Sequence, residues 1–378
     1  MMIYEPWFSV NEYEARVAHV RSQLAEHNCQ ALIAFLPETV TYLTGFFTRG
    51  YSSFQCVIIP LEGEPMLVCR DVESFYVDAT SIYKRRALWS DSDNPVSVAI
   101  AAIKEVVGDK GNIGIDMLAW SLSYGRFHAI EQQLPALNWC DFSGILERQR
   151  FIKSAAEIDL MRAAAKTAEA GMYAGIKNTG VGVTERELAA EICSAMIKAG
   201  SDLPGPGVLS SGERAFHLHG GYSDRVLQAG DIVQLEVTPN VKHYHARFMR
   251  PIKVQHASDE DLRTVEQLIE IQNQALAEVR PGVKATIPDA IYRDGALSQG
   301  LRDHYSNKTF YSIGLLLQPN GGESLQAEPC SDWCFEVGMT FHTYILAKGF
   351  GMSESIVITE QGYERLTNFS RQLFVSSL

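Results

Sequence analysis

The chain has no run approaching ~18 consecutive apolar residues, so no segment reads as a membrane-spanning helix. Its opening, MMIYEPWFSV, lacks both a basic start and an apolar core, so it is not expected to be a signal peptide. Positive charge is in short supply. With 33 Lys and Arg against 45 Asp and Glu, the formal net charge is −12, the wrong sign for a protein whose main partner is nucleic acid. An anionic small molecule in a locally basic pocket remains compatible with that balance. Cysteine is sparse and unpatterned: 29, 56, 69, 140, 193, 330 and 334 form an odd set, read as reduced thiols of a cytoplasmic protein. Only Cys330 and Cys334 lie close, and without a second pair they do not make a zinc site. Also missing are a Walker-type phosphate loop, a Gly-x-Ser-x-Gly elbow and a Cys/His nucleophile signature. Pro204-Gly-Pro-Gly207 is a turn without the strand-to-helix setting of a dinucleotide site. No repeat of about 20–50 residues and no low-complexity segment is present.

What is there is an ordinary globular composition, 46% hydrophobic over 378 residues, enough for two cores. The first ~150 residues alternate helical and strand patterns. Asn11 and Glu14 suggest a capping box before Tyr13, Val17, Val20 and Leu24 at helical spacing. Apolar strands are expected at 31–36, 56–59 and 66–69, the last two joined as a hairpin by the turn residues Pro60 to Pro65. Helices near 96–107 and 122–134 flank a strand at 112–115. A boundary falls near residues 147–159, where Ser154 and Glu157 cap a long amphipathic helix. Thr184 and Glu187 start another, to about Ala199. Strands are expected at 232–238 and 244–254, helices from Ser258 with Asp261 and at 287–299, then strands at 311–317, 339–346 and 354–359.

The most informative stretch is Gly230 to Pro251, GDIVQLEVTPNVKHYHARFMRP. With the start at 147–159 and the segments Phe310-Tyr-Ser-Ile-Gly314, Val337-Gly-Met-Thr-Phe341 and Ile356-Val-Ile-Thr359, it resembles the pita-bread family of creatinase, aminopeptidase P and prolidase. That resemblance implies an α/β N-terminal domain over 1–150 and an α+β pita-bread catalytic domain over 151–378. In the metal-dependent members, five ligands at these positions hold two cations that polarise an amide and generate hydroxide. Here Glu236, Arg247, Tyr311, Tyr344 and Ser353 stand at those five positions, with Glu354 one residue past the last. A guanidinium cannot ligate a cation. The chain therefore resembles the metal-free branch, ectoine hydrolase and creatinase, and no cofactor is expected.

Within that resemblance, His219 matches the pocket histidine that serves as base and acid, for which imidazole has a suitable pKa. Alone it would read as a polar loop residue. Glu236 lies on an alternating strand whose polar side, with Gln234 and Thr238, would by itself read as solvated; in the family this side lines the pocket. Arg247 is either an ordinary strand arginine or a carboxylate or oxyanion clamp. His245, Tyr311, Tyr344, Glu323 and His342 are candidate substrate-binding residues. Arg49 and Tyr51 match a loop that reaches the neighbouring subunit's pocket in creatinase, so a homodimer is expected. His217 with His219 and His243 with His245, at strand spacing, suggest a weaker His-rich metal alternative. The favoured expectation is metal-independent hydrolysis of a C–N bond in a small zwitterionic or carboxylated molecule, with no membrane partner. A metal-dependent Xaa-Pro dipeptidase, a lyase and a non-catalytic peptide-binding protein are the alternatives.

Overall fold

In the computed structural model, which describes residues 5–205 and 207–377, contacts divide the chain into a unit ending at Gln149 and a second beginning at Arg150. In the first, the apolar runs β1 (Ala31–Ala34), β2 (Cys56–Pro60), β3 (Met66–Arg70), β4 (Arg86–Trp89), β5 (Lys110–Ile115) and β6 (Ala136–Asp141) make one sheet in the order β4-β3-β2-β1-β5-β6. β2 and β3 form the expected antiparallel hairpin, with Cys56 opposite Val68. β5 and β6 are parallel because helix Tyr124–Gln133 carries the chain back between them. Ile33, Ile58, Val68, Ile103 and Ile130 fill the core around the sheet.

The first helix, Val10–Glu26, buries Tyr13, Val17, Val20 and Leu24 as its spacing requires. Its cap, however, is Ser9 and not Asn11. Ser9 is in the extended conformation and its hydroxyl accepts from the Glu12 amide, so an equally good capping residue acts two positions earlier.

The second unit carries β7 (Leu209–Ser211), β8 (Ile232–Val237), β9 (Asn240–Val241), β10 (Tyr244–His245), β11 (Phe248–Lys253), β12 (Phe310–Ser312), β13 (Gln326–Ala327), β14 (Thr340–Ala347), β15 (Phe350–Thr359), β16 (Gly362–Arg365) and β17 (Phe374–Val375). They form two sheets, β17-β11-β8-β7 and β13-β12-β14-β15-β16, with β9 and β10 as a separate ribbon. Helices Ala155–Asn178 and Glu185–Lys198 cover β8, and Asp259–Ala277 and Thr286–Ser298 belong to the core of the second sheet. The boxes at Ser154/Glu157, Thr184/Glu187 and Ser258/Asp261 are all formed. Helix Ala155–Asn178 comes so near β8 that a Cβ on Gly175 would sit 2.4 Å from a Leu235 methyl.

The strand expected at 244–254 is broken into β10 and β11. Lys242 and His243 have φ of 48° and 60° and turn the chain between β9 and β10, so His243 and His245 do not share a strand face. Past β10, the Arg247 amide donates to Ser355 Oγ instead of to a neighbouring strand. The Met249 amide likewise donates to Ser353 Oγ at 2.7 Å. These two serines thus join β11 to β15 and bring the two sheets together. The run expected at 311–317 is strand only to Ser312.

Candidate active site

β8 is buried along its whole length. Val233, Leu235 and Val237 pack into the core under the two helices, which leaves Gln234 and Glu236 on the opposite face, toward β15 of the second sheet. The polar side of this strand is therefore interior, and the solvated reading fails because a second sheet covers it. Met249 stands opposite Glu236 in the β8–β11 register. On β14 and β15, His342 stands opposite Ser355 and Tyr344 opposite Ser353, all on one face. A cavity of about 560 Å³ opens here, lined among others by His219, Glu236, Arg247, Lys308, Tyr311, Glu323, His342 and Tyr344.

Glu236 is 5% exposed, and its Oε1 has no hydrogen-bond partner. It lies 3.7 Å from Arg247 Nε and 3.8 Å from His342 Nε2. Arg247 spends Nη1 on the Tyr311 hydroxyl at 2.5 Å and the Gly321 carbonyl at 2.9 Å. Burial opposes its charge, yet Tyr311 and Glu236 outweigh that and hold its pKa above the usual arginine value. His342 meets Tyr311 OH through Nδ1 and Ser353 Oγ through Nε2, both at 2.8 Å. Burial, with Arg247 nearby, pushes its pKa well below the usual value, so the ring is neutral. Burial and then Glu236 raise the Tyr311 phenol despite Arg247, which keeps it protonated. Tyr344 stacks on His342 at 5.4 Å and is raised chiefly by burial.

His219 sits in the loop before β8 with φ of 65° and faces the same cavity. Glu323 reaches the cavity wall while its Oε2 accepts from Lys153 Nζ and Ser312 Oγ; Arg150 lies 3.6 Å from Oε1. His245 is not among the cavity's lining residues. Its Nε2 meets the Leu316 carbonyl at 3.3 Å, and burial, then Arg247 and His243, push its pKa down to about 3. Arg49 and Tyr51 belong to the first unit, in the turn ahead of β2.

Lys308 was not singled out from the sequence. Its Nζ lies 4.9 Å from the Tyr311 ring centroid, and burial lowers its pKa. A lone lysine three residues before Tyr311 carries no signal, because only the folded loop turns it toward the pocket.

The family resemblance implies a two-metal centre, and these residues do not fit one. Arg247 adds a fixed charge of the wrong sign, Tyr311 stays protonated, and both nitrogens of His342 are engaged. Ser353 faces the site and Glu354 faces away. Glu354 is fully buried against Arg250 at 2.8 Å, with Arg371 at 3.3 Å and Thr367 donating at 2.9 Å. Among the described residues no group of three His, Cys, Asp or Glu side chains is placed to hold a metal ion, the histidine pairs and Cys330/Cys334 included.

Comparison with known proteins agrees with this geometry at the level of family. Residues 159–360 match the description metallopeptidase family M24, and residues 16–152 match the creatinase/prolidase N-terminal domain. The chain is 28% identical to ectoine hydrolase of Halomonas elongata, over 97% of this chain and 98% of that protein. It is 25% identical to Xaa-Pro dipeptidase of Pyrococcus furiosus, over 72% and 78% respectively. Its fold matches the crystal structure of a recombinant prolidase from Thermococcus sibiricus with a TM-score of 0.85 at 24% identity, covering 96% of this chain and 99% of that one.

Proposed function

Because the chain belongs to metallopeptidase family M24 and is a hydrolase of that family, we propose that it opens a C–N bond of a small zwitterionic or carboxylated molecule without a bound metal. The observation that carries this reading is Glu236: a buried carboxylate with an unpartnered oxygen, flanked by Arg247 and His342. Leaving such an oxygen unpaired costs about 1–3 kcal/mol or more, a cost that a substrate or a reacting water repays. Glu236 takes a proton from water as the hydroxide adds to the sp² carbon, or attacks that carbon itself. His219 then supplies the proton that lets the nitrogen leave. Lys308 suits the substrate carboxylate better than Arg247, whose Nη1 is already committed.

The test offers a cyclic amidine (ectoine), a guanidino acid (creatine) and Xaa-Pro dipeptides side by side, to protein purified with chelator. Turnover of one of the first two is expected. Glu236→Gln and His219→Gln should each cost at least ~10²–10⁴-fold. The double variant should cost little more, since residues acting as one unit are not additive. Dipeptide turnover that survives Glu236→Gln would refute this function and favour the peptidase reading suggested by the dipeptidase relative.

A further inference from the structure

A chain of hydrogen bonds runs beside Glu236, from Arg247 Nη1 to Tyr311 OH, His342 Nδ1, His342 Nε2, Ser353 Oγ and the Met249 amide. Both ends can only donate: a guanidinium has no acceptor and a backbone N–H has none. Between them sit a phenol, a neutral imidazole and a hydroxyl, with one proton each. The two interior bonds consume two of those three protons, so one hydroxyl proton is left over. If His342 carries its proton on Nε2, the spare proton belongs to Ser353, which is fully buried and has no further acceptor among the described residues. If the proton is on Nδ1, Ser353 donates to Nε2. Tyr311 then accepts from both Arg247 and His342, and its own proton points into the cavity that it lines.

We propose that His342 is held as the Nδ1–H tautomer by Ser353, and that this makes Tyr311 the cavity's donor to a developing oxyanion. The catalytic half of this statement rests on the hydrolase reading; the tautomer does not. Donation here stops short of transfer. Passing the Tyr311 proton to substrate and refilling it along the chain would strand Ser353 as an alkoxide, so proton delivery stays with His219. Tyr311 is then a catalytic residue, while His342 and Ser353 position it. Arg247, donating to the same oxygen, strengthens the phenol as a donor.

Nitrogen-15 NMR of the intact protein reads the tautomer directly, with the His342 ring assigned by its disappearance in His342→Gln. A proton on Nδ1 is expected. In Tyr311→Phe the ring loses its acceptor on that side, but Ser353 still donates to Nε2, so the proton should stay on Nδ1. An Nε2–H ring in the parent protein, or a switch to Nε2–H in Tyr311→Phe, would overturn the assignment. On the panel substrate that turns over, Tyr311→Phe should lower kcat by about 10²–10³-fold with little change in KM; an unchanged kcat removes the donor role even if the tautomer stands. Should no panel member react, the hydrolase reading fails separately. Calorimetry with 3-aminopropylphosphinate then decides the donor role: at least tenfold weaker binding by Tyr311→Phe supports it, and equal or absent binding refutes it.

Discussion

At Glu354 and Ser353 a shift of one residue decides between a carboxylate in the site and a hydroxyl. From the sequence the two were adjacent candidates for one ligand position. The strand settles the matter through its period of two, which puts Ser353 beside His342 and sends Glu354 to the opposite face. Glu236, Tyr311 and Tyr344 were legible because motif spacing survives when side chains change. Lys308 and the commitment of Arg247 to Tyr311 were not, since both depend on a loop whose path no local pattern encodes. The buried imidazoles also set a pH dependence. His342 and His245 titrate far lower when folded than the usual ~6.5. Below that pH the unfolded chain binds protons that the native chain refuses. Their penalty is therefore absent above ~6.5 and grows on acidification toward the folded values. Between pH 7.5 and 5.0 one such histidine removes up to about 2 kcal/mol of stability. His245→Gln should lose correspondingly less over that interval in urea titrations, and an equal loss would show that His245 is not held neutral.

Elements with strong local chemistry were readable in advance. Three capping boxes, the β2–β3 hairpin and the stripe of the first helix all follow from short-range rules. The break between β10 and β11 was not readable: at that break the Arg247 amide goes to Ser355, more than a hundred residues away, a pairing that no local pattern encodes. The same junction holds the pair Arg250–Glu354, with both side chains at 0% exposure. Glu354→Gln should strand the Arg250 charge and cost about 3–5 kcal/mol in denaturant unfolding. If stability is kept while activity is lost, Glu354 works in the site and this assignment of faces is wrong.

For the whole molecule, the α/β character of the first unit follows from its alternation of helical and strand patterns, while the division near residue 150 was marked by the helix start at Ser154 and the family resemblance; among the described residues no helix is long and apolar enough to cross a membrane. We further propose a homodimer in which Arg49 and Tyr51 serve the neighbouring subunit's cavity. Sedimentation should show a dimer, and Arg49→Ala should raise KM without unfolding the chain; a fully active monomer would contradict this. The central claim is that the positions which hold two cations elsewhere in the family here build a metal-free carboxylate site. Elemental analysis of the active protein, purified without added metal and assayed with and without chelator, tests it most directly. Full activity with far less than one equivalent of manganese, cobalt, zinc or iron is the expected result. Stoichiometric metal whose removal abolishes turnover, and whose return restores it, would contradict the account.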